Sequence, residues 1–211
     1  MKGWVNGTWD PSLVTNTDWT DYVTQTSVSH EHTVSASGGT EQINAYGSFG
    51  YLSNKGTQKG QWYDRYTAKI SVNIKPVKWF TLNASMNATW SEQDYGMSTL
   101  GGSSSHVADA IYGAAKGIYR MAVPYDADGK LIINPGGESG MYNIIGEWNK
   151  STQLSQTMRT LANFSATLGL GEIWKPLEGL SYKINFGPDY RNWREGSYVD
   201  GSSIPVSYTH L

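Results

Sequence analysis

The sequence of 211 residues predicts an all-β chain, read as an antiparallel transmembrane β-barrel segment with about six strands of a larger barrel and a long external loop containing a short helix. Three observations predict it. Several stretches alternate apolar and polar residues with a period of two over about ten or more positions, the length that crosses a bilayer at a tilt of ~45°. The connections between these stretches alternate short and long. Aromatic residues gather at the strand ends that face the long connections, where ring side chains form girdles at a membrane interface.

Taken in order, residues 1–22 read as a loop leading into the barrel and 23–92 as its first four strands. The first two strands are the weaker pair. Residues 28–37 carry Val28, Val34 and Ala36 in phase, and 41–52 carry Ile43, Ala45, Phe49 and Tyr51. Between them Ser37-Gly38-Gly39-Thr40 reads as a tight turn with glycines supplying positive φ. After a longer loop, 53–61, residues 66–75 set Tyr66, Ala68, Ile70, Val72 and Ile74 against Thr67, Lys69, Ser71, Asn73 and Lys75. Pro76-Val77-Lys78 is a second tight turn. Residues 79–91 then oppose Phe80, Leu82, Ala84, Met86, Ala88 and Trp90 to Thr81, Asn83, Ser85, Asn87, Thr89 and Ser91.

Residues 93–154 form the long external loop, in which Ser103 to Ser105 cap a short amphipathic helix with Asp109 in its first turn and Val107, Ile111, Ala115 and Ile118 on one face. Two further strands occupy 155–193. In one, Phe164 and Leu168 share a face and Leu161 is out of phase; in the other, Ile184 and Phe186 share a face before Pro188 interrupts the ladder. Residues 194–211 read as a loop or a truncated tail. The residues expected to face lipid are Tyr66, Ala68, Ile70, Val72, Ile74, Phe80, Leu82, Ala84, Met86, Ala88, Trp90, Phe164, Leu168, Ile184 and Phe186. Trp62 and Tyr190 share their parity.

Composition narrows the function. Charged residues make up 16% against a usual value of roughly 25%, and aromatic residues 13%, so the chain folds. A net charge of -2 argues against nucleic acid as a partner, which demands a basic surface. With Cys 0 there are no disulfides, thiolate nucleophiles or cysteine metal sites. No apolar run is long enough for a spanning helix, and the opening MKGWVNGTWD has no signal-peptide pattern. A mean hydropathy of -0.46 does not oppose a barrel, because alternation hides the apolar face from any average.

No catalytic, cofactor or metal-binding residue is assigned. His30 and His32 fall on one side of a strand without a third ligand of matching parity. Asp126-Ala127-Asp128-Gly129 opens like a calcium loop, but its twelfth place is Gly137 with Glu138 after it, and a plain turn is the reading preferred. Glu92, Asp94, Glu138 and Glu147 are loop acids whose mutual distances the sequence does not fix.

The segment from Asn16 to Trp90 resembles the first part of the barrel in SusC-like TonB-dependent transporters. The resemblance rests on the order and spacing of Asn16-Thr17-Asp18-Trp19, Val34-Ser35-Ala36-Ser37-Gly38-Gly39, Tyr51-Leu52 with Gly56, Arg65-Tyr66 leading into Asn73, and Lys78-Trp79. Tyr125 to Gly129 and Leu180 to Tyr190 extend it over residues 13–195. It implies a barrel of roughly 22 strands with a plug domain in its lumen, in the outer membrane, importing a large nutrient such as an oligosaccharide or a peptide. It also implies TonB as the energy-delivering partner, engaged through N-terminal segments that this stretch lacks, and a SusD-like surface lipoprotein as the lid. No covalent chemistry follows from it. The expectation is therefore an internal barrel fragment, with a soluble β-sandwich carbohydrate-binding module as the other reading that alternation permits and an enzyme on a jelly roll behind it.

Overall fold

The computed structural model describes residues 15–97, 110–137 and 141–203. Its frame is one antiparallel sheet of β1 (Ser29–Gly39), β2 (Ile43–Lys55), β3 (Trp62–Val77), β4 (Phe80–Asp94), β5 (Ser151–Gly169), β6 (Ser181–Phe186) and β7 (Asp189–Val199). The strands lie in the order β1-β2-β3-β4-β5-β6, and β7 also pairs with β5.

β6 and β7 are one strand with a flaw. β6 pairs with the later part of β5, Phe164 opposite Phe186, and β7 pairs with the earlier part, Leu161 opposite Asp189. The register runs through Gly187 and Pro188 without a slip. Pro188 has no N–H to donate to the ladder, yet its carbonyl accepts from the Ala162 amide at 3.0 Å. Pro76 acts differently at the end of β3, where the pairing with β4 shifts between Ile74 and Val77, a bulge that frees the position lacking a donor.

The short turns sit differently from the sequence expectation. Gly38 and Gly39 remain inside β1, and neither has positive φ. The turn is instead 40–42, built by a hydroxyl: the Thr40 amide donates to the Ile43 carbonyl at 2.7 Å, and Thr40 Oγ1 accepts from the amides of Gln42 at 3.3 Å and Ile43 at 3.2 Å. Threonine supplies through its side chain what the glycines were expected to supply through φ. Likewise Pro76 and Val77 belong to β3, and the second turn is Lys78-Trp79.

β5 starts at Ser151 and β7 runs to Val199, so both strands extend beyond their alternating parts. There Gln153, Ser155 and Gln156 meet polar surroundings on either face, and the apolar phase vanishes although the backbone ladder continues.

Among the described residues the apolar face carries no second layer, and Val34, Phe49, Ile70, Phe164 and Phe186 on it are all exposed. The chain exposes 14227 Å², against about 9,700 Å² for a compact monomer of its mass. A soluble sandwich would cover the apolar face with a second sheet, and among the described residues none does. The buried core lies elsewhere, at the end of the sheet holding the longer connections 56–61 and 95–150: Trp19, Val23, Met97, Ile111, Ala115, Ile118, Ala122 and Ile144 form one cluster. It gathers the 3-10 turn Trp19–Tyr22 and the helix α1, Ala110–Gly117. The expected face of α1 is present in Ile111, Ala115 and Ile118; the expected cap at Ser103 to Ser105, with Val107 and Asp109, lies outside the described residues.

Candidate functional site

Strand pairing converts the sequence pattern into two surfaces. Cross-strand partners point to the same side, so the register Val72–Ala84–Phe164–Phe186 and Ile74–Leu82–Ala166–Ile184 makes apolar rows that run unbroken across β3 to β6. Every residue expected to face lipid falls on this one surface: Tyr66, Ala68, Ile70, Val72 and Ile74 on β3, Phe80 to Trp90 at alternate positions on β4, Phe164 and Leu168 on β5, Ile184 and Phe186 on β6. Val34, Phe49 and Tyr182 join them through the register of β1, β2 and β6.

Aromatic rings bound this surface at both ends. Toward the long connections Tyr51, Tyr66 and Trp90 stand side by side, with ring centroids 4.9 Å and 5.4 Å apart. Toward the short turns Trp79 and Phe80 lie 6.0 Å apart, and Phe80 is in the row of Leu168 and Tyr182. Between Trp90 and Phe80 the strand rises about 34 Å at ~3.4 Å per residue. Immediately beyond Tyr66 and Trp90 the same surface turns polar, with Asp64 opposite Glu92 and Glu92 opposite Gln156. Gln156 Nε2 donates to Glu92 Oε1 at 2.7 Å.

The opposite surface is mainly polar, with Tyr46 and Leu52 interrupting it on β2. One row runs Asn44–Asn73–Asn83–Ser165–Asn185, in which Asn73 Nδ2 donates to Asn83 Oδ1 and Asn83 Nδ2 donates to Ser165 Oγ at 3.3 Å. Two ion pairs lie here, Arg65 with Glu31 at 3.5 Å and Arg159 with Asp189 at 2.8 Å. Leu161, out of phase in the sequence, sits on this surface between Asn87 and Asp189. A hollow of about 180 Å³ forms where Gly50 leaves room among Glu31, Thr33, Ser48, Leu52, Arg65 and Thr67.

The rim at the long-connection end is held by buried polar groups that the sequence did not reveal. Asp94 Oδ1 accepts from the amides of Gly96 at 2.8 Å and Gln153 at 3.1 Å, pinning both ends of the long loop. Glu147, 1% exposed, meets Lys150 Nζ at 2.7 Å through one oxygen and accepts from Ser203 Oγ at 2.7 Å through the other, which ties the loop to the chain after β7. Asn143 Nδ2 donates to the carbonyls of Pro124 and Ile132, each at 3.0 Å. Gly60 has φ +86 and lies so close to the loop that an added Cβ would sit 3.1 Å from the Trp148 carbonyl oxygen. Hydrogen bonds from the Ser202 amide and hydroxyl hold the Asp200 carboxyl below the ordinary carboxylate range.

The remaining candidates are ordinary. The rings of His30 and His32 lie 5.5 Å apart edge to face, with Tyr51 5.8 Å from His30, and no group of three potential ligands occurs among the described residues. Asp126 Oδ1 accepts from the amides of Asp128 at 3.0 Å and Lys130 at 2.8 Å, a turn closed by Gly129 at φ +77. Of the four acids expected in loops, Glu92 and Asp94 instead lie within β4, whose ladder runs beyond the alternating stretch, Glu147 lies in the long loop, and Glu138 lies outside the described residues.

Comparison with known proteins gives this two-sided sheet its context. The chain is 26% identical over 97% of its length to the TonB-dependent receptor SusC of Bacteroides thetaiotaomicron, of which it spans 21%. It is 31% identical over 90% of its length to the TonB-dependent receptor P39 of Formosa agariphila, of which it spans 16%. The chain is SusC-like. Its fold agrees: a structure of the RagAB peptide importer in the 'closed-closed' state superposes with a TM-score of 0.67 at 18% identity, over 90% of this chain and 20% of that one. A second structure, of the RagAB peptide transporter, gives 0.64 at 19% identity over 87% and 20%. The SusC-like chain thus spans about a fifth of the length of these proteins, as part of a β-barrel. No protein-family model matches it.

Proposed function

We propose that this SusC-like sheet is part of the wall of an outer-membrane TonB-dependent transporter, with lipid against the apolar surface and the polar surface toward the lumen. The observation that carries the proposal is the height of the apolar surface. About 34 Å along β4 between Trp90 and Phe80, tilted by ~45°, projects to about 24 Å, which matches the ~25 Å apolar band of outer-membrane barrels between their aromatic girdles. The charged row of Asp64 and Glu92 then falls in the headgroup region, where carboxylates stay hydrated.

The cargo of such a transporter is a large nutrient, an oligosaccharide or a peptide, and its partners are TonB and a SusD-like surface lipoprotein. Likeness to the SusC receptor and to the RagAB importer supports both parts of this reading. The sheet performs no covalent chemistry; it separates lipid from lumen and carries the external rim. The test is expression of the full-length protein in a Gram-negative host. It should fractionate with the outer membrane and import labelled oligosaccharide or peptide only while the inner-membrane proton gradient is intact. A protein recovered in the soluble fraction, or uptake that survives a protonophore, would refute the proposal.

A further inference from the structure

Before it enters β1, the chain is bonded to two different loops of the rim. On one side the Thr17 amide donates to the Arg120 carbonyl at 2.8 Å, its hydroxyl donates to the Ala122 carbonyl at 3.0 Å, and Trp19 Nε1 donates to the Tyr119 carbonyl at 3.1 Å. On the other side the Gln25 amide donates to the Thr57 carbonyl at 2.8 Å and the Lys59 amide to the Val23 carbonyl at 2.9 Å, while Lys59 Nζ donates to the Tyr22 carbonyl at 2.8 Å. Asp18 fixes the backbone between these anchors: Oδ1 accepts from the Thr20 amide at 3.1 Å, and Oδ2 meets Arg120 Nη2 at 3.2 Å. Trp19 and Val23, 2% and 0% exposed, stand in the core shared with Ile111, Ala115 and Ile118.

The helix α1 has eight residues, too few to persist by its own hydrogen bonds in water, so its shape depends on the face that Trp19 covers. The ring is seated in one cluster with Ile111, Ala115 and Ile118, and because a packed core deforms little, its withdrawal would be a discrete step and not a gradual one. We propose that Thr17–Gln25 is a coupling strap. Displacement of the chain ahead of β1 unseats Trp19 and releases 110–122 together with it; while the strap is seated, that stretch stays fixed to the rim and does not move as an independent lid. The coupling element is thus the Trp19 contact, which joins segments a hundred positions apart. This inference goes beyond the transporter reading and is independent of the cargo.

Hydrogen exchange measured by mass spectrometry on the full-length protein in lipid nanodiscs tests it, comparing the wild type with Trp19→Ala and with the exposed pair Asp18→Ala/Arg120→Ala. In Trp19→Ala, peptides covering 15–25 and 110–122 should both exchange about tenfold faster or more, with β3 and β4 unchanged. The exposed pair should shift the same two peptides together by a smaller factor. Unchanged protection of 110–122 in either variant, or faster exchange of the strap alone, would overturn the inference. If Trp19→Ala does not assemble, the exposed pair decides by itself.

Discussion

Arginine placed at Ala84 measures which side of the sheet meets lipid. Ala84 lies six positions from Trp90 and four from Phe80 on β4, so at ~3.4 Å per residue and ~45° tilt it sits about 14 Å from one aromatic row and about 10 Å from the other. That is within about 2 Å of the middle of the apolar band. An arginine at the midplane of a barrel's lipid face costs about 2 to 4 kcal/mol, a shift of about 30- to 900-fold in the folding equilibrium. Its neighbour Asn83 projects to the opposite surface, among Asn73, Ser165 and Asn185. Asn83→Arg gives up the hydrogen bonds to Asn73 and Ser165, which costs about 1 kcal/mol. Urea titration of the full-length protein folded into phosphatidylcholine vesicles, read by the heat-modifiable band on a gel, separates the two. Equal destabilisation by both substitutions, or a loss at Asn83 larger than at Ala84, would refute the assignment of faces.

Three further outcomes follow from the rim. Glu147→Ala leaves Lys150 and the Ser203 hydroxyl without their carboxylate and should destabilise the junction of the long loop with residues 200–203 by about 1 to 3 kcal/mol, because Lys150 keeps partial access to water; trypsin cleavage after Lys150 should accelerate, and an unchanged rate would contradict the clamp. Gly60→Val forces a β-branched residue to positive φ beside the Trp148 carbonyl and should cost about 1 to 3 kcal/mol, seen as faster exchange of peptides 56–61 and 145–150, while Gly113→Ala in α1 should not destabilise. Hydrogen bonds from Thr20, then the Arg120 charge, hold the Asp18 carboxyl below its ordinary value of 3.8. A depressed carboxyl stabilises the seated strap above the ordinary value, and that contribution is lost as pH falls through the lower, folded value. Pepsin cleavage near Tyr22 should therefore rise as pH drops below about 4, and Asp18→Asn should flatten that rise.

The sequence was most readable where periodicity and surroundings agree. In β3 and β4 apolar and polar residues alternate without a break, so Tyr66 to Ile74 and Phe80 to Trp90 announce both strand and face. Legibility fades at Gln153 to Gln156 on β5 and at Arg194 to Val199 on β7, where the strands rise past the aromatic row and both sides carry polar residues. The first turn was misplaced because Gly38-Gly39 is the stronger local signal, while the residue that builds it, Thr40, acts through a hydroxyl that is equally common within strands. The out-of-phase Leu161 did mark an exception, an apolar side chain on the polar surface. The rim was unreadable for a different reason: Trp19 with Tyr119 and Glu147 with Ser203 are partners far apart in sequence, and no local spacing signals them. Asp18 was the available clue, since an aspartate two positions ahead of Thr20 reads as the cap of a turn.

If one polypeptide sheet separates lipid from water with opposite faces of the same strand, accessibility along β4 must alternate residue by residue. The chain has Cys 0, so single cysteines can be placed at Leu82, Asn83, Ala84, Ser85, Met86, Asn87 and Ala88 without removing any from it, in full-length protein whose cysteines elsewhere are replaced by serine, reconstituted in vesicles, each carrying a nitroxide label. Oxygen, which concentrates in lipid, should relax the labels at Leu82, Ala84, Met86 and Ala88, and a water-soluble nickel chelate those at Asn83, Ser85 and Asn87. A period of two with the two reagents out of phase is expected. Accessibility that does not alternate, or a nickel chelate that reaches Ala84 and Met86 as readily as Asn83 and Ser85, would contradict it.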